Sequence, residues 1–131
     1  LGEEAFLKKL PLELLEYPKP VIAAVNGAAI GVGITMILPC DLRIAVPEAK
    51  VFYPVMKLGF LPQPSDPGRL AAIAGPGFAA RILLAGEKIT SAEAAAAGLF
   101  DRVAPGEELL DTITYYQRAA DLYTLRTRGH Q

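Results

Sequence analysis

The sequence has one cysteine, one histidine and no tryptophan in 131 residues, and each shortage excludes a class of function. A single cysteine, Cys40, cannot form an internal disulfide and is typical of a reducing compartment, so we expect a cytoplasmic protein. With one cysteine, and with the only histidine (His130) next to the last residue, the chain has no ligand set for zinc or a redox metal. We therefore predict no metal site.

Excess charge and long apolar runs are also missing. The formal net charge is -1, so neither nucleic acid nor an anionic membrane is an expected partner. Asn26, Pro39 and Asp41 interrupt the best apolar stretch before it reaches the roughly 18 residues that a membrane-spanning helix requires. Apolar residues make up 52% of the chain and charged residues 21%, which is typical of a globular domain.

The beginning of the chain has no basic region of the kind that opens a secretory signal, and it has no initiator methionine. The length is that of one domain. We expect a fragment of a larger unit.

Apolar spacing and the positions of proline and glycine predict alternating helices and strands, an α/β architecture. The continuously apolar strand at 20–26 is expected to be buried on both faces. Asp66, before a proline, is interpreted as a helix N-cap, and Thr90 with Glu93 as a capping box. The polar tail at 126–131 is expected to be mobile. Helices are predicted at 3–16, 34–38, 66–74, 78–84, 94–97 and 107–123, and strands at 20–26, 42–45, 51–53 and 100–103.

The most informative segment is residues 19–33 (KPVIAAVNGAAIGVG), in which a strand runs into a glycine-rich turn and then an apolar helix. The first turn of a helix has unpaired N–H donors and a positive dipole end, which suit a ligand oxygen. Gly27, Gly31 and Gly33 permit a close approach, although they could simply shape a tight turn.

Other glycine-dependent sites do not fit this segment. A dinucleotide fingerprint fails because its third glycine position is Met36, and the lysine and hydroxyl residue of a P-loop are missing. A serine hydrolase is disfavoured because Ser65 and Ser91, the only serines, are explained as loop and cap residues.

Residues 19–33 resemble the second oxyanion-hole segment of the enoyl-CoA hydratase/isomerase (crotonase) family. The match continues in register over roughly residues 18–105, which is too extended to arise by chance. The other stretches similar to the family are residues 52–62 (FYPVMKLGFLP), Arg69-Leu70, residues 84–94 (LAGEKITSAEA) and residues 98–103 (GLFDRV).

The resemblance implies a crotonase-like spiral of stacked ββα units, of which this chain holds the later part. The family's N-terminal half, which supplies the first oxyanion donor and much of the coenzyme A adenine pocket, is not present. We expect a partial core over residues 1–105 and a C-terminal helical oligomerisation region over 106–131. Family members are usually trimers or dimers of trimers, so a homotrimer or a dimer of trimers is expected. The last helix would then expose its apolar side chains unless partnered, namely Leu109, Leu110, Ile113 and Tyr116.

The resemblance also implies an enzyme of fatty acid metabolism acting on an acyl- or enoyl-CoA thioester, with no cofactor beyond the coenzyme A of the substrate. The N–H of Val32 would donate to the thioester carbonyl oxygen and stabilise an enolate, with Gly31 and Gly33 keeping the approach open.

The acids of the family's hydratases are missing. By the resemblance, their two glutamates fall at Thr35 and Val55, and the acid of some isomerases falls at Gln63. Threonine cannot act as a base near neutral pH, valine has no proton to exchange, and glutamine is neutral. Isomerase or lyase chemistry is therefore expected rather than hydration. The alternative is a catalytically silent acyl-CoA binder or structural family member.

Several side chains have both a functional and a simpler interpretation. Asp66 is the candidate base, because it is the only carboxylate in the loop facing the presumed pocket, but helix capping is the simpler role. Tyr53 could line the substrate site or simply pack. Thr35 could contact substrate or donate to a carbonyl of its own helix. The substrate-binding candidates are Gly31, Gly33, Thr35, Tyr53, Val55 and Gln63. Lys57 and Arg69 are candidates for coenzyme A phosphates or ordinary surface charges, and Arg43 is expected to be structural.

Overall fold

The computed structural model describes residue 9 and residues 11–128, with only the backbone described for Val32 and for 123–128. Half of the N-terminal helix predicted at 3–16 lies outside these residues, as does the end of the tail, and the described part of that helix, residue 9 and residues 11–16, is helical. Residues 126–128 continue the last helix, which therefore ends five residues beyond the predicted end at 123. The expected mobility of the tail stays a prediction.

Helices and short strands alternate along the chain, as predicted. The elements are α1 (11–16), β1 (Ile22–Val25), β2 (Ala28–Ile30), α2 (Val32–Ile37), β3 (Leu42–Ala45), β4 (Lys50–Phe52), a 3₁₀ helix (Pro54–Leu58), α3 (Asp66–Ala74), α4 (Pro76–Leu83), β5 (Ile89–Thr90), α5 (Ser91–Ala96), β6 (Arg102–Val103) and α6 (Gly106–Arg128).

Six strands of the described chain form two three-stranded sheets, ordered β1-β3-β6 and β2-β4-β5. All pairs are parallel except β4 with β5. Each of the first two passes of the chain places one strand in each sheet before a helix: β1 and β2 precede α2, and β3 and β4 precede the 3₁₀ helix and α3. In the third pass, α5 lies between β5 and β6. This repeated ββα order confirms the predicted spiral.

The strand predicted at 20–26 is two strands, because Asn26 and Gly27 let the chain leave one sheet and enter the other. β2 was not predicted. The expectation of burial on both faces is also wrong: Ala24 is exposed, and Ile22 is only half-buried. An apolar run of small residues does not by itself show which face is covered.

Arg43 in β3 has the structural role that was expected. The residue is 5% exposed; its Nε donates to the carbonyl oxygen of Leu99 (2.7 Å), and its Nη1 donates to that of Cys40 (2.7 Å). Nη2 also lies 3.6 Å from the Asp101 carboxylate. The side chain thereby ties the end of α2 to the segment that leads into β6.

The apolar stripe of α6 is used mainly within the chain. Leu109 is buried, and Ile113 and Tyr116 are partly buried against the core, whereas Leu110 is exposed. The expectation that all four would need a partner is therefore wrong for three of them. Their spacing places them on one helix face, and that face packs on β1 and β3.

Candidate active site

The glycine turn before α2 is fixed from both sides. Gly31 has φ 55°, which favours glycine, and its N–H donates to the Phe52 carbonyl oxygen at the end of β4 (3.0 Å). Its own carbonyl oxygen accepts from the N–H groups of Ile34 (2.9 Å) and Thr35 (3.3 Å). Val32 is the first residue of α2, so its amide belongs to the turn whose N–H groups lack an acceptor in their own helix.

A shallow cavity of about 180 Å³ lies beside this turn. It is lined by the β1–β2 turn at Asn26 and Gly27 and by Gly33 and Ile37 of α2. A Cβ atom added at Gly27 or Gly33 would meet nothing within 4 Å. The open space therefore adjoins Gly33, the residue after Val32, whose N–H the sequence predicted as the donor to a ligand oxygen.

The Thr35 hydroxyl does not donate to a carbonyl of its own helix, so that expectation is wrong. Its side chain is 1% exposed, and its hydroxyl donates to Oδ2 of Asp66 over 2.6 Å. A carboxylate is a stronger acceptor than a backbone carbonyl, which explains the preference.

Asp66 is the first residue of α3 and does not cap it. The N-cap position is Ser65, with no side-chain hydrogen bond to the helix, so the capping interpretation is wrong. Asp66 is 0% exposed, and its Oδ2 accepts from both Thr35 and the phenol of Tyr53, each over 2.6 Å. Its Oδ1 is buried and has no hydrogen-bond partner among the described residues. Bonding to distant hydroxyls turns the carboxyl group away from its own helix.

Tyr53 does more than pack. It is 2% exposed, donates to Asp66 and accepts a hydrogen bond from the Gln63 N–H (3.0 Å). Burial, and after it the hydrogen bond to Asp66, raises the pKa of the Tyr53 phenol, which keeps this group protonated as a donor. Thr35, Tyr53 and Asp66 together are called the hydroxyl–carboxyl cluster below.

The other candidates lie around this cluster. Val55, in the 3₁₀ helix, packs against the core, and Gln63 contributes its backbone N–H. Arg69 is half-buried, and its Nη1 has no hydrogen-bond partner in the described part of the chain. Lys57 is exposed.

A larger apolar cavity of about 360 Å³ lies between the 3₁₀ helix, α3 and α4. Pro62 and Pro67, which bracket the turn leading into Asp66, form part of its wall, together with Met56, Leu61 and Leu83. Asp66 is therefore adjacent in the chain to Pro67, a residue that lines this apolar cavity.

The described residues contain neither a metal-binding cluster nor a membrane-spanning helix. No group of three or more His, Cys, Asp or Glu side chains there could hold a metal ion. Likewise, none of the helices described is long and apolar enough to cross a bilayer.

Sequence reasoning named every member of the hydroxyl–carboxyl cluster but missed that the three are joined. Each member is in a different part of the fold: Thr35 lies in α2, Tyr53 follows β4, and Asp66 begins α3. No rule of sequence spacing connects the three positions. The sequence held one indication that they meet: the two hydroxyl residues and the carboxylate are on segments that the family resemblance assigned to the same pocket.

The two-sheet spiral, the glycine turn and the pocket segments define a crotonase-type domain. A sequence model of the family described as enoyl-CoA hydratase/isomerase matches residues 3–124. The chain belongs to the enoyl-CoA hydratase/isomerase family.

Individual relatives agree with this. The chain is 39% identical over 112 residues to a short-chain-enoyl-CoA hydratase of Clostridium acetobutylicum, covering 86% of this chain and 41% of that protein. It is 40% identical over 113 residues to a crotonyl-CoA hydratase of Syntrophomonas wolfei, covering 86% and 42%. The crystal structure of an enoyl-CoA hydratase from Bacillus anthracis matches with a TM-score of 0.86 and 29% identity, over 90% of this chain and 46% of that one. The chain therefore spans about two fifths of the length of the curated relatives it matches.

Proposed function

We propose that this protein acts on an acyl- or enoyl-CoA thioester by stabilising its enolate, with the carbonyl oxygen bound at the Val32 N–H. The supporting observation is the turn itself: Gly31 is anchored to Phe52, Val32 opens α2, and a cavity adjoins Gly33. A donor aimed at a developing oxyanion is worth about 10²–10³ in rate. Family membership supports the thioester as the substrate class.

We further propose a double-bond shift or carbon–carbon cleavage rather than hydration. Hydration requires one group to activate water and another to protonate carbon, and Thr35 and Val55 supply neither. The relatives described above are hydratases by name. The case against hydration therefore depends on these two positions of this chain.

The alternative, a catalytically silent acyl-CoA binder, is favoured by one observation. Thr35, Tyr53 and Asp66 are all at most 2% exposed, so the cluster is closed to solvent. This alternative predicts thioester binding without turnover.

The test is a substrate panel with the purified protein. We expect a 3-enoyl-CoA to be isomerised, or an acyl-CoA cleaved, while crotonyl-CoA is hydrated very slowly. Hydration at the rate of ordinary family hydratases would contradict the proposed reaction class. Binding of every thioester with no reaction would support the silent binder.

We also propose that the protein forms a homotrimer or a dimer of trimers. Leu58, Phe60 and Leu61, which are 68%, 67% and 81% exposed, form an apolar surface suited to contact with more protein. Light scattering is expected to give a trimer or a multiple of it, and a strict monomer would contradict this proposal.

A further inference from the structure

We propose that Asp66 carries the proton of this reaction through its Oδ1 atom, and that Tyr53 and Thr35 are positioning residues that hold its other oxygen. This inference rests on the enolate chemistry proposed above. It assigns the proton carrier that Thr35, Val55 and Gln63 do not provide.

The hydrogen-bond directions determine where a proton can sit on this carboxyl group. A backbone N–H can only donate, so the Gln63 N–H occupies a lone pair of the Tyr53 phenol oxygen, and the phenol proton is directed at Asp66. The Thr35 hydroxyl donates to the same Oδ2. Because Oδ2 accepts two hydrogen bonds, any proton that the carboxyl group carries is on Oδ1.

Thr35 connects the carboxyl group to the helix that begins with the proposed oxyanion donor. It is three residues after Val32 in α2, about 4.5 Å along the helix axis, and its hydroxyl donates to Oδ2 of Asp66. An enolate forms at the carbon adjacent to the carbonyl carbon, so the proposal requires Oδ1 of Asp66 and the Val32 N–H to face the same substrate.

The structure of the cluster also distinguishes it from a purely structural hydrogen-bond network. A network built only for stability satisfies its buried atoms, whereas Oδ1 of Asp66 is buried without a partner among the described residues. Such an atom lowers stability and requires an explanation. Proton transfer explains it, since a base must keep one oxygen free.

The step balances without a further reactant. Oδ1 forms an O–H bond with the proton at the α-carbon of a 3-enoyl thioester. The C–H electron pair enters the conjugated system, and negative charge develops on the carbonyl oxygen at the Val32 N–H. The O–H bond then breaks, the same proton bonds to the γ-carbon, and its electron pair returns to Asp66. The product is the conjugated 2-enoyl thioester.

The burial of Asp66 determines what happens to the proton that it removes from the substrate. Asp66 is 0% exposed, so a proton held on Oδ1 exchanges slowly with water and returns to the molecule it left. Asp66 precedes Pro67, which lines the apolar cavity, so a substrate that enters this cavity must displace part of its wall to reach Oδ1.

The experiment follows deuterium from the α-carbon to the γ-carbon. A 3-enoyl-CoA deuterated at the α-carbon is converted in light water, and mass spectrometry measures the label retained at the γ-carbon. We expect substantial retention with the unaltered protein and loss of turnover by about 10²-fold or more in Asp66→Asn. The asparagine oxygen can still accept from both hydroxyls, so the melting temperature and the affinity for acyl-CoA should change little.

The positioning role is tested by the separate responses of kcat and KM. Tyr53→Phe and Thr35→Val each remove one hydroxyl that orients the Asp66 carboxyl group, so kcat should fall while KM stays nearly unchanged. Thr35→Ser keeps a hydroxyl and should restore kcat. A role confined to folding would lower the melting temperature without changing kcat of the folded protein.

The outcomes separate the two proposals. If the unaltered protein converts the substrate and Asp66→Asn does so at a similar rate, the assignment of Asp66 is overturned while the enolate chemistry stands. If the unaltered protein binds thioesters but neither converts them nor exchanges the α-proton, the proposed function fails and this inference fails with it. Complete loss of label to water would overturn the claim of a shielded Oδ1.

Discussion

The phenol of Tyr53 and the carboxylate of Asp66 form a 2.6 Å hydrogen bond between two side chains that are almost fully buried. This bond joins the end of β4 to the start of α3, and the Thr35 hydroxyl extends the connection to α2. Three segments that surround the candidate site are thereby held by one carboxylate oxygen.

Replacing Tyr53 with phenylalanine should destabilise the protein by about 1–3 kcal/mol, because the Gln63 N–H loses its acceptor and Asp66 a donor. Urea unfolding measures this. Tyr115→Phe is the matched control, since Tyr115 is 69% exposed and should change stability by less than about 0.5 kcal/mol.

The same pair predicts a response to alkaline pH. The pKa of the Tyr53 phenol is raised in the folded state above the ordinary value of 10.0, so the folded chain holds this proton more tightly than the unfolded chain. The resulting stabilisation is complete below the unfolded-state pKa and is lost as pH rises through the folded-state value. Unfolding curves measured across this range should show a smaller alkaline loss in Tyr53→Phe, and equal losses would contradict the pKa direction.

Alanine substitutions at Gly31 and Gly33 should change the stability of the protein in opposite directions. Gly31 has φ 55°, so Gly31→Ala should cost about 1–3 kcal/mol from backbone strain and should lower activity by displacing the Val32 amide. Gly33 lies in α2 without a positive φ, and a Cβ there meets nothing within 4 Å. Gly33→Ala should therefore gain up to about 1 kcal/mol. Thermal unfolding of the two variants tests this, and equal losses would be inconsistent with the geometry described.

Arg43→Met should cost about 2–4 kcal/mol, since the Leu99 and Cys40 carbonyls lose the guanidinium donor and Asp101 loses its ion-pair partner. The backbone N–H of residue 43 still donates to Oδ2 of Asp101. Chemical denaturation measures the loss. Arg118→Met, at an exposed position of α6, is the control. A similarly small effect in both variants would show that the buried guanidinium does not tie α2 to β6.

Thr90→Ala should cost about 1 kcal/mol, because Thr90 accepts from the Glu93 N–H in the capping box of α5. Thr90→Ser keeps the acceptor and should retain most of the stability. The pKa of Glu93 is lowered, first by hydrogen bonding to Arg81 and then by Thr90, so its contribution is present above the unfolded-state pKa and is lost in acid. Melting temperatures at neutral and acid pH check both statements.

Local chemistry was sufficient to predict much of this structure. The helix at 66–74 and the capping box at Thr90 follow from proline, glycine and hydroxyl positions that act within a few residues. The family resemblance supplied the spiral, which periodicity alone would not give.

The contacts that sequence reasoning missed are long-range. Asp66 was interpreted as a cap because Ser65 and Pro67 are its only visible neighbours in the sequence, whereas its hydrogen-bond partners lie 13 and 31 residues away. The split of the first strand into β1 and β2 depends on which sheet each half joins. Burial of the α6 stripe depends in the same way on the strands beneath it.

The most direct test of the proposed oxyanion donor is the carbonyl stretching frequency of a ¹³C-labelled acyl-CoA bound to the protein, measured by difference infrared spectroscopy. Val32→Pro is the decisive variant, because proline is compatible with the first position of a helix but has no N–H. We expect the bound carbonyl to absorb at lower frequency than in solution, the shift to persist in Val32→Ala, and most of it to disappear in Val32→Pro. A bound carbonyl that absorbs as it does in water, or a shift unaffected by Val32→Pro, would contradict the assignment of the Val32 amide as the oxyanion donor.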